Sequence, residues 1–584
     1  MNPERGSVGN LRSKPTFTPG ASRSKRHLQL VEIRKQDVDA HLQQLRRQRY
    51  HEQDTSGAAS NETLDYSRLA VQLSTNNEAL QLNFLQEIHR QLSASVYASE
   101  QVDLLMQTTP ILHSLVTLLN NCIQQPALCE AVLLILLNVA SSSTEHHIQA
   151  LLDLHLDDLL LAQLHFIITH VTEQAAAQTE PAPALWMVVE NILNTLGNLV
   201  AGNRTLRDKL VAGRVVDITV DLLMQRAHRL TTIELGTWFL GNILRVGGLS
   251  DWQPFQPALW LFARILAMPY EHTLTNMLTQ ALWGVCFILQ IGGFTSEPVL
   301  KICSPASIVA CLSGDREHPV ITAALRTVAL LSAGPPEAVE QLLAVGLFTQ
   351  LAYLVEHGRA ATVRTTYFVL SNIVLLSPRE VQMLLDHEAM RDKVISDGLR
   401  GSFDIASEAM TVLSHAVGVA TVPQLDRLEF SGVLPLFVDM CYAKSADVAH
   451  RALEALIHYA RSDASRILSR ERESKKYEAT AVETMLSAGV ERALDVLEQG
   501  DHRELAAMAG HLHELLAVFA GDDNDGEVLP ELEPSWPHSD GLIWNGAPAQ
   551  SGPPPPSVWG NLSSWSLQPL PTNNDETMHV YEEY

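Results

Sequence analysis

A tryptophan and an asparagine lie four residues apart in the segment Trp238-Phe239-Leu240-Gly241-Asn242. On a helix, residues at this spacing share one face and lie one turn apart. The aromatic ring can cover the apolar stem of a basic side chain, and the amide can both donate and accept hydrogen bonds. The pair therefore suits an extended peptide, because the amide can hold its backbone while the ring contacts its side chains.

Weakened copies of this pattern recur along the chain at a nearly constant interval. Aligned on the asparagine, six of the seven steps are 42 to 45 residues long, and the remaining step is 60 residues long. The long step contains the polar, proline-containing stretch Glu173–Pro183, which we interpret as an inserted loop. The aligned positions are Asn138, Asn198, Asn242, Phe287, Leu330, Asn372, His415 and His458.

Such an interval in a sequence with helical patterning is typical of HEAT and armadillo repeats, whose period is about 40–47 residues. Each repeat cannot bury its apolar face alone, so the repeats stack and share a continuous core. We predict an all-α fold, a right-handed armadillo-repeat superhelical solenoid of about nine or ten repeats over residues 77–520. We expect the first repeat at Asn77–Leu119 and a capping repeat at Val482–Phe519.

The two ends of the chain differ in composition from this array. Residues 1–27 are predicted to be disordered, residues 28–53 to form a basic helix, and residues 54–76 to be a linker. Residues 521–584 are acidic, with a proline run and four tryptophans, and are predicted to be a disordered tail. These tryptophans either serve as docking motifs or pack onto the solenoid. A basic helix alone is also compatible with a membrane-surface or calmodulin-binding segment.

Charge and composition restrict the class of function. The formal net charge is −25, although the first 50 residues hold eleven Lys and Arg against four acidic residues. The acidic body argues against direct binding to nucleic acid, and the longest apolar run, near Ala131–Ala140, is too short to insert into a membrane. The cysteines and histidines form no zinc-site spacing, and no Walker A, HExxH or nucleophile motif is present. We therefore expect that the protein binds no cofactor and is not an enzyme.

The chain resembles the importin α family in two separate parts, which together cover residues 28–520. Two segments of the basic helix are similar to the second half of that family's importin-β-binding domain, namely Val31-Glu32-Ile33-Arg34-Lys35 and Leu45-Arg46-Arg47-Gln48-Arg49. Within the array, motifs similar to the family's third to seventh repeats are Leu196–Asn203 with Leu206-Arg207-Asp208, Trp238–Asn242, Ala281-Leu282-Trp283 with Phe287, Ala324-Leu325-Arg326, and Leu370–Ile373.

This resemblance implies a nuclear import adaptor that shuttles between cytoplasm and nucleus. Cargo would bind through Lys/Arg-rich nuclear localisation signals, importin β would bind the basic helix, and a nuclear export receptor would release the complex. The basic arm, residues 1–53, would also occupy the acidic groove of the repeat array as a pseudo-substrate. The implied cargo-binding residues are Asn138, Asn198, Trp238, Asn242, Trp283, Phe287, Arg326, Phe368 and Asn372. The implied importin-β-binding residues are Arg34, Lys35, Arg46, Arg47 and Arg49.

The chain departs from the family pattern mainly at the tryptophan positions. These read Leu134, Asn194, Trp238, Trp283, Arg326, Phe368 and Thr411, so two aromatic plates are missing from the principal site. We therefore expect altered recognition, centred on Trp238, Trp283, Asn198 and Asn242. An armadillo scaffold for a different, non-NLS peptide is the alternative. For single residues, a packing role for each Trp and a cap or inter-repeat hydrogen bond for each Asn also stay open.

Overall fold

The computed structural model describes residues 71–73, 77–94, 98–107, 109–141, 145–176, 182–225, 229–292, 296–471 and 480–520. The predicted basic helix with Arg34, Lys35, Arg46, Arg47 and Arg49, and the predicted tail at 521–584, lie outside the described residues. Within the predicted linker at 54–76, residues 71–73 are helical, and Leu73 is buried in the core. The backbone carbonyl of Leu73 accepts a hydrogen bond from Gln81 Nε2 at 2.8 Å.

From residue 98 onward the described helices fall into three-helix units, which follow the helical residues 71–73 and one longer helix. In chain order they are α1 (Glu78–Ala94); α2 (Ala98–Gln107), α3 (Thr109–Asn121) and α4 (Pro126–Ser141); α5 (Glu145–Asp153), α6 (Leu156–Ala176) and α7 (Pro183–Val200); α8 (Arg204–Ala212), α9 (Val215–Gln225) and α10 (Leu230–Arg245); a 3-10 turn (Gln253–Phe255), α11 (Gln256–Leu266), a second 3-10 turn (His272–Leu274) and α12 (Thr275–Ile288); α13 (Ser296–Ile302), α14 (Pro305–Ala310) and α15 (His318–Ser332); α16 (Pro336–Ala344), α17 (Leu347–His357) and α18 (Ala360–Val374); α19 (Pro378–Asp386), α20 (Glu388–Arg400) and α21 (Phe403–Val419); α22 (Val422–Phe430), α23 (Val433–Met440) and α24 (Ala446–Glu471); and α25 (Thr480–Ser487), α26 (Val490–Glu498) and α27 (Arg503–Ala520).

The third helix of each unit packs against the third helix of the next unit. This layer runs from α1 through α4, α7, α10, α12, α15, α18, α21 and α24 to α27. Because a third helix is covered by neighbours on two sides and by its own second helix, it is apolar around most of its circumference. In α4, for example, Leu133, Ile135 and Leu136 are all fully buried. The buried side chains form one continuous core, and the predicted all-α solenoid is confirmed.

The turn between the first and second helix of a unit uses a left-handed residue in several repeats. Gly346 (φ 91°), Gly432 (φ 83°) and Gly489 (φ 80°) stand at this corner. His155 (φ 55°) and Arg214 (φ 59°) adopt the same backbone region at the equivalent corners. A residue with a Cβ costs about 1–2 kcal/mol there, so the corner geometry is kept even where glycine is absent.

The first part of the predicted inserted loop is helical. Helix α6 continues to Ala176, so its 21 residues take in the first part of the stretch Glu173–Pro183, and α7 begins at Pro183. Only residues 177–181 of that stretch lie outside the described residues. Within the described ranges, no single helix is long and apolar enough to cross a membrane. The helices α16 and α17 reach that length only together, and they are bent by 80°.

Candidate peptide-binding surface

The eight aligned positions all lie on third helices, and we refer to them together as the Asn row. Asn138 lies on α4, Asn198 on α7, Asn242 on α10 and Asn372 on α18. The remaining members are Phe287 on α12, Leu330 on α15, His415 on α21 and His458 on α24. Stacking of the third helices therefore carries this row from one repeat to the next, which an extended ligand requires.

Members near the two ends of the Asn row bond to the preceding third helix. Asn138 Nδ2 lies 3.1 Å from His89 Nδ1 on α1. Asn372 Nδ2 donates a hydrogen bond to Ser332 Oγ on α15 at 3.1 Å. The ring of His415 makes a similar contact, with Nδ1 2.9 Å from a backbone carbonyl of α18. These side chains form hydrogen bonds between repeats, and the predicted contact of Asn138 and Asn372 with a ligand stays a prediction.

Asn242, in the middle of the Asn row, differs because both polar atoms of its amide are unsatisfied. Asn242 is 1% exposed, and neither its Nδ2 nor its Oδ1 has a hydrogen-bond partner among the described residues. The Oδ1 of Asn198, on the neighbouring third helix, also lacks one. Each buried unsatisfied group costs about 1–3 kcal/mol. Beside Asn242, the buried Gly241 leaves room for one more methyl group, since an added Cβ would meet only Gln280 Oε1, at 3.9 Å.

Trp238 lies between two third helices rather than in the open. Its side chain is 1% exposed, and its ring packs on Gly197 of α7. A Cβ at Gly197 would lie only 2.3 Å from the ring carbon Cζ3. The ring therefore fills the space that this glycine leaves between α7 and α10. This is the packing role that the sequence left open, and a contact between Trp238 and a ligand stays a prediction.

Aromatic surface at the tryptophan positions is instead found on α12. The rings of Trp283 and Phe287 stack with centroids 6.2 Å apart and an interplanar angle of 24°. Trp283 is buried at 6% exposure, whereas Phe287 is half-buried and keeps part of its ring at the surface. Further along, Arg326 on α15 is half-buried and Phe368 on α18 is 8% exposed. The exposed part of Phe287 offers an apolar surface on α12, the third helix that packs on α10.

Three glutamates form a second row that sequence reasoning missed, and we name it the acidic row. Glu130, Glu190 and Glu234 lie on α4, α7 and α10, each eight residues before a member of the Asn row. Eight residues are two i, i+4 steps, so each glutamate shares a helix face with its asparagine. The repeat alignment could have found this row if it had been extended by two turns. Its carboxylates suit ammonium and guanidinium groups.

Glu190 of the acidic row is held by several polar contacts. Its Oε1 accepts hydrogen bonds from Thr231 Oγ1 at 2.9 Å and from Thr232 Oγ1 at 2.6 Å. The Arg229 guanidinium reaches the same oxygen, with Nε at 3.6 Å. Burial raises the pKa of the neighbouring Glu130 carboxyl, the charge of Glu190 raises it further, and Arg229 opposes both effects. The two carboxylates and the guanidinium therefore form one electrostatic cluster.

Other polar positions have structural roles. Asn203 caps α8, and its side chain accepts a hydrogen bond from the backbone N–H of Leu206 at 3.0 Å. Asn194 and Leu134, at the positions of the missing plates, are half-exposed. All six cysteines are buried free thiols, and burial raises the pKa of Cys303 to about 12. Within the described ranges, no group of His, Cys, Asp and Glu could hold a metal ion.

Comparison with known proteins gives a partial relationship. No protein-family model matches the chain. Over 196 residues it is 24% identical to importin subunit alpha-1b of Oryza sativa subsp. japonica, which covers 33% of this chain and 35% of that protein. The chain thus matches about a third of the length of this curated relative.

Solved structures provide the comparison of the fold. An engineered protein from the Northeast Structural Genomics Consortium has a TM-score of 0.61 at 15% identity, over 78% of this chain and 99% of that chain. A designed armadillo repeat protein in complex with the peptide (KR)4 has a TM-score of 0.38 at 18% identity, over 44% and 99% of the two chains. The chain is an all-α repeat solenoid that is similar, over part of its length, to an importin α subunit.

Proposed function

We propose that the third helices α7, α10 and α12 bind an extended Lys/Arg-rich peptide, and that the chain acts as a nuclear import adaptor. One observation carries the proposal. The amide of Asn242 and the Oδ1 of Asn198 are buried without hydrogen-bond partners among the described residues, on adjacent repeats. Peptide backbone N–H and C=O groups are the partners that such amides require.

The surrounding side chains support a basic ligand in particular. The acidic row lies two helical turns from the Asn row, so it can receive the charged heads of Lys or Arg side chains. Their apolar stems would cross the Trp283–Phe287 stack, where a cation over an aromatic face is also favoured. Asn194 stands between Glu190 and Asn198 on α7, and its short side chain leaves this path open.

The adaptor role rests on the similarity to the rice importin subunit and on the basic arm. In this role, Arg34, Lys35, Arg46, Arg47 and Arg49 would contact importin β, and a nuclear export receptor would take part in release. The protein would then shuttle between cytoplasm and nucleus. A pull-down of the full chain with an importin β homologue tests the arm, and no binding would contradict this part of the proposal.

The peptide site is tested by a binding titration with a labelled Lys/Arg-rich peptide. Because one hydrogen bond contributes about 0.5–1.5 kcal/mol, Asn198→Ala with Asn242→Ala should weaken binding by about tenfold or more. Asn121→Ala, an exposed asparagine on the second helix α3, is the matched control and should bind as the wild type does. Equal affinity of the double variant and the control would refute the site.

A scaffold for a peptide that is not a nuclear localisation signal is the second candidate. It is favoured by Leu134 and Asn194 in place of aromatic plates, and by the burial of Trp238 against Gly197. Such a scaffold would keep the amide contacts with a ligand backbone but would not prefer Lys and Arg side chains. Tighter binding of a neutral peptide of the same length than of the basic peptide would favour this candidate.

A further inference from the structure

Arg229 pairs with Glu190 of the acidic row, where the proposed function places the basic side chains of the ligand. It is the residue directly before α10, and its Nε is 3.6 Å from Glu190 Oε1. Its Nη2 is 3.6 Å from the sulfur of Met187, three residues before Glu190 on α7. The guanidinium thus lies along the face of α7 that also carries Asn194 and Asn198.

The carboxylates around Arg229 have the properties of a cation site. Glu130 makes no hydrogen bond among the described residues and is half-buried. Glu190 is held by the hydroxyls of Thr231 and Thr232, so its carboxylate is oriented independently of Arg229. Two carboxylates on adjacent third helices face one guanidinium, which leaves the cluster with an excess of negative charge.

We propose that Arg229 is an internal occupant of the acidic row, which an incoming Lys or Arg side chain must displace. This inference rests on the proposed function and concerns its regulation. Arg229 is suited to exchange because its side chain is 39% exposed, so the guanidinium can move into solvent without opening the core. Partly exposed ion pairs are weak, at about 0–1 kcal/mol, so the displacement does not prevent binding.

A different reading is that the Arg229–Glu190 pair only joins α7 to α10. The two readings give opposite signs for ligand binding. If Arg229 only joins the helices, its removal loosens the surface and weakens peptide binding. If it occupies the cation site, its removal leaves Glu130 and Glu190 free for the ligand and strengthens binding.

The test compares Arg229→Gln with wild type in the full chain, using a labelled Lys/Arg-rich peptide at low salt. We expect binding about threefold to fivefold tighter, since one competing ion pair and one like charge are removed. Arg229→Met, which keeps an apolar stem near Met187, should give the same gain. Adding Glu130→Gln to Arg229→Gln should reverse it. Because the gain is electrostatic, it should shrink as salt is added.

Arg427→Gln is the matched control, because it removes the same charge from a partly exposed pair with Asp386 away from the third helices. Its affinity should equal that of wild type. Unchanged or weaker binding by both Arg229 variants, with wild type binding normally, would overturn this inference and leave the proposed function intact. Absence of binding by wild type and both Arg229 variants would overturn the proposed function and the inference together. Binding by the Arg229 variants alone would support both.

Discussion

The contact between Trp238 and Gly197 predicts that Gly197→Ala changes stability in opposite directions with and without the Trp238 ring. A methyl group at Gly197 would lie 2.3, 2.9 and 3.1 Å from three carbons of the indole ring, where about 3.5–4.0 Å is the normal separation. The ring would have to move by about 1 Å or more. Overpacking of this kind costs about 1–3 kcal/mol, partly offset by the gain of about 1 kcal/mol when alanine replaces glycine within a helix.

Removal of the ring reverses this balance. Trp238→Ala should destabilise the contact between α7 and α10 by about 3–5 kcal/mol, because it leaves a cavity. In the Trp238→Ala background, Gly197→Ala no longer meets the ring, so only the helix-propensity gain of about 1 kcal/mol remains. The same substitution therefore destabilises the wild type and stabilises the variant. The coupling between the two positions should be on the order of 1–3 kcal/mol.

Hydrogen exchange of peptides from α7 and α10 is the suitable assay. A repeat array opens locally, so exchange reports the stability of this junction without assuming a two-state transition for the whole chain. Peptides from α24 and α27 serve as the internal control and should not change. If Gly197→Ala had the same effect with and without the Trp238 ring, the packing role assigned to this ring would be refuted.

Three further predictions follow from backbone and titration properties. Gly241→Ala should stabilise α10 by about 1 kcal/mol, since its Cβ would make only an ordinary contact with Gln280 Oε1 at 3.9 Å, yet weaken peptide binding several-fold in a titration; unchanged binding would contradict the proposed approach of the ligand backbone. Gly346→Ala should lower the local stability measured by hydrogen exchange by about 1 kcal/mol, because Gly346 has a positive φ. An added Cβ would meet no atom within 4 Å at either Gly346 or Gly247, but Gly247 has no positive φ, so Gly247→Ala should not lower the stability. Equal effects of the two substitutions would contradict the conformational argument. Burial and the nearby Arg461 lower the pKa of His458, so the unfolded chain binds this proton first, and stability is lost as the pH falls below about 6.5. His458→Gln should reduce this loss in thermal unfolding measured between pH 7 and pH 5, and an unaltered pH profile would contradict it.

The repeat architecture could be predicted from the sequence because it depends on spacing alone. Six steps of 42–45 residues and one of 60 place the Asn row on successive third helices, whatever the side chains contact. The exposure of Trp238 could not be predicted in this way. An i, i+4 pair of Trp and Asn is compatible with a ring in the open and with a ring between helices, and Gly197 of the preceding repeat decides between them. The contact depends on two residues that are 41 positions apart.

Whether each asparagine side chain has a hydrogen-bond partner also could not be predicted from the sequence. The Nδ2 of Asn138 lies opposite His89, and the Nδ2 of Asn372 bonds to Ser332, whereas neither amide atom of Asn242 has such a neighbour among the described residues. These partners lie on the preceding third helix, so a motif within one repeat does not contain them. Burial of the Asn row, in contrast, follows directly from its place on stacked helices.

The left-handed corners between first and second helices have a consequence for how this chain can be recognised. The corner holds its shape with glycine at Gly346, Gly432 and Gly489 and also with His155 and Arg214. A cost of about 1–2 kcal/mol at one corner is small beside the contacts of a whole repeat, so the residue can vary while the backbone path stays the same. Two chains can therefore share this fold with few identical residues, as the engineered protein with 15% identity to this chain and a TM-score of 0.61 illustrates.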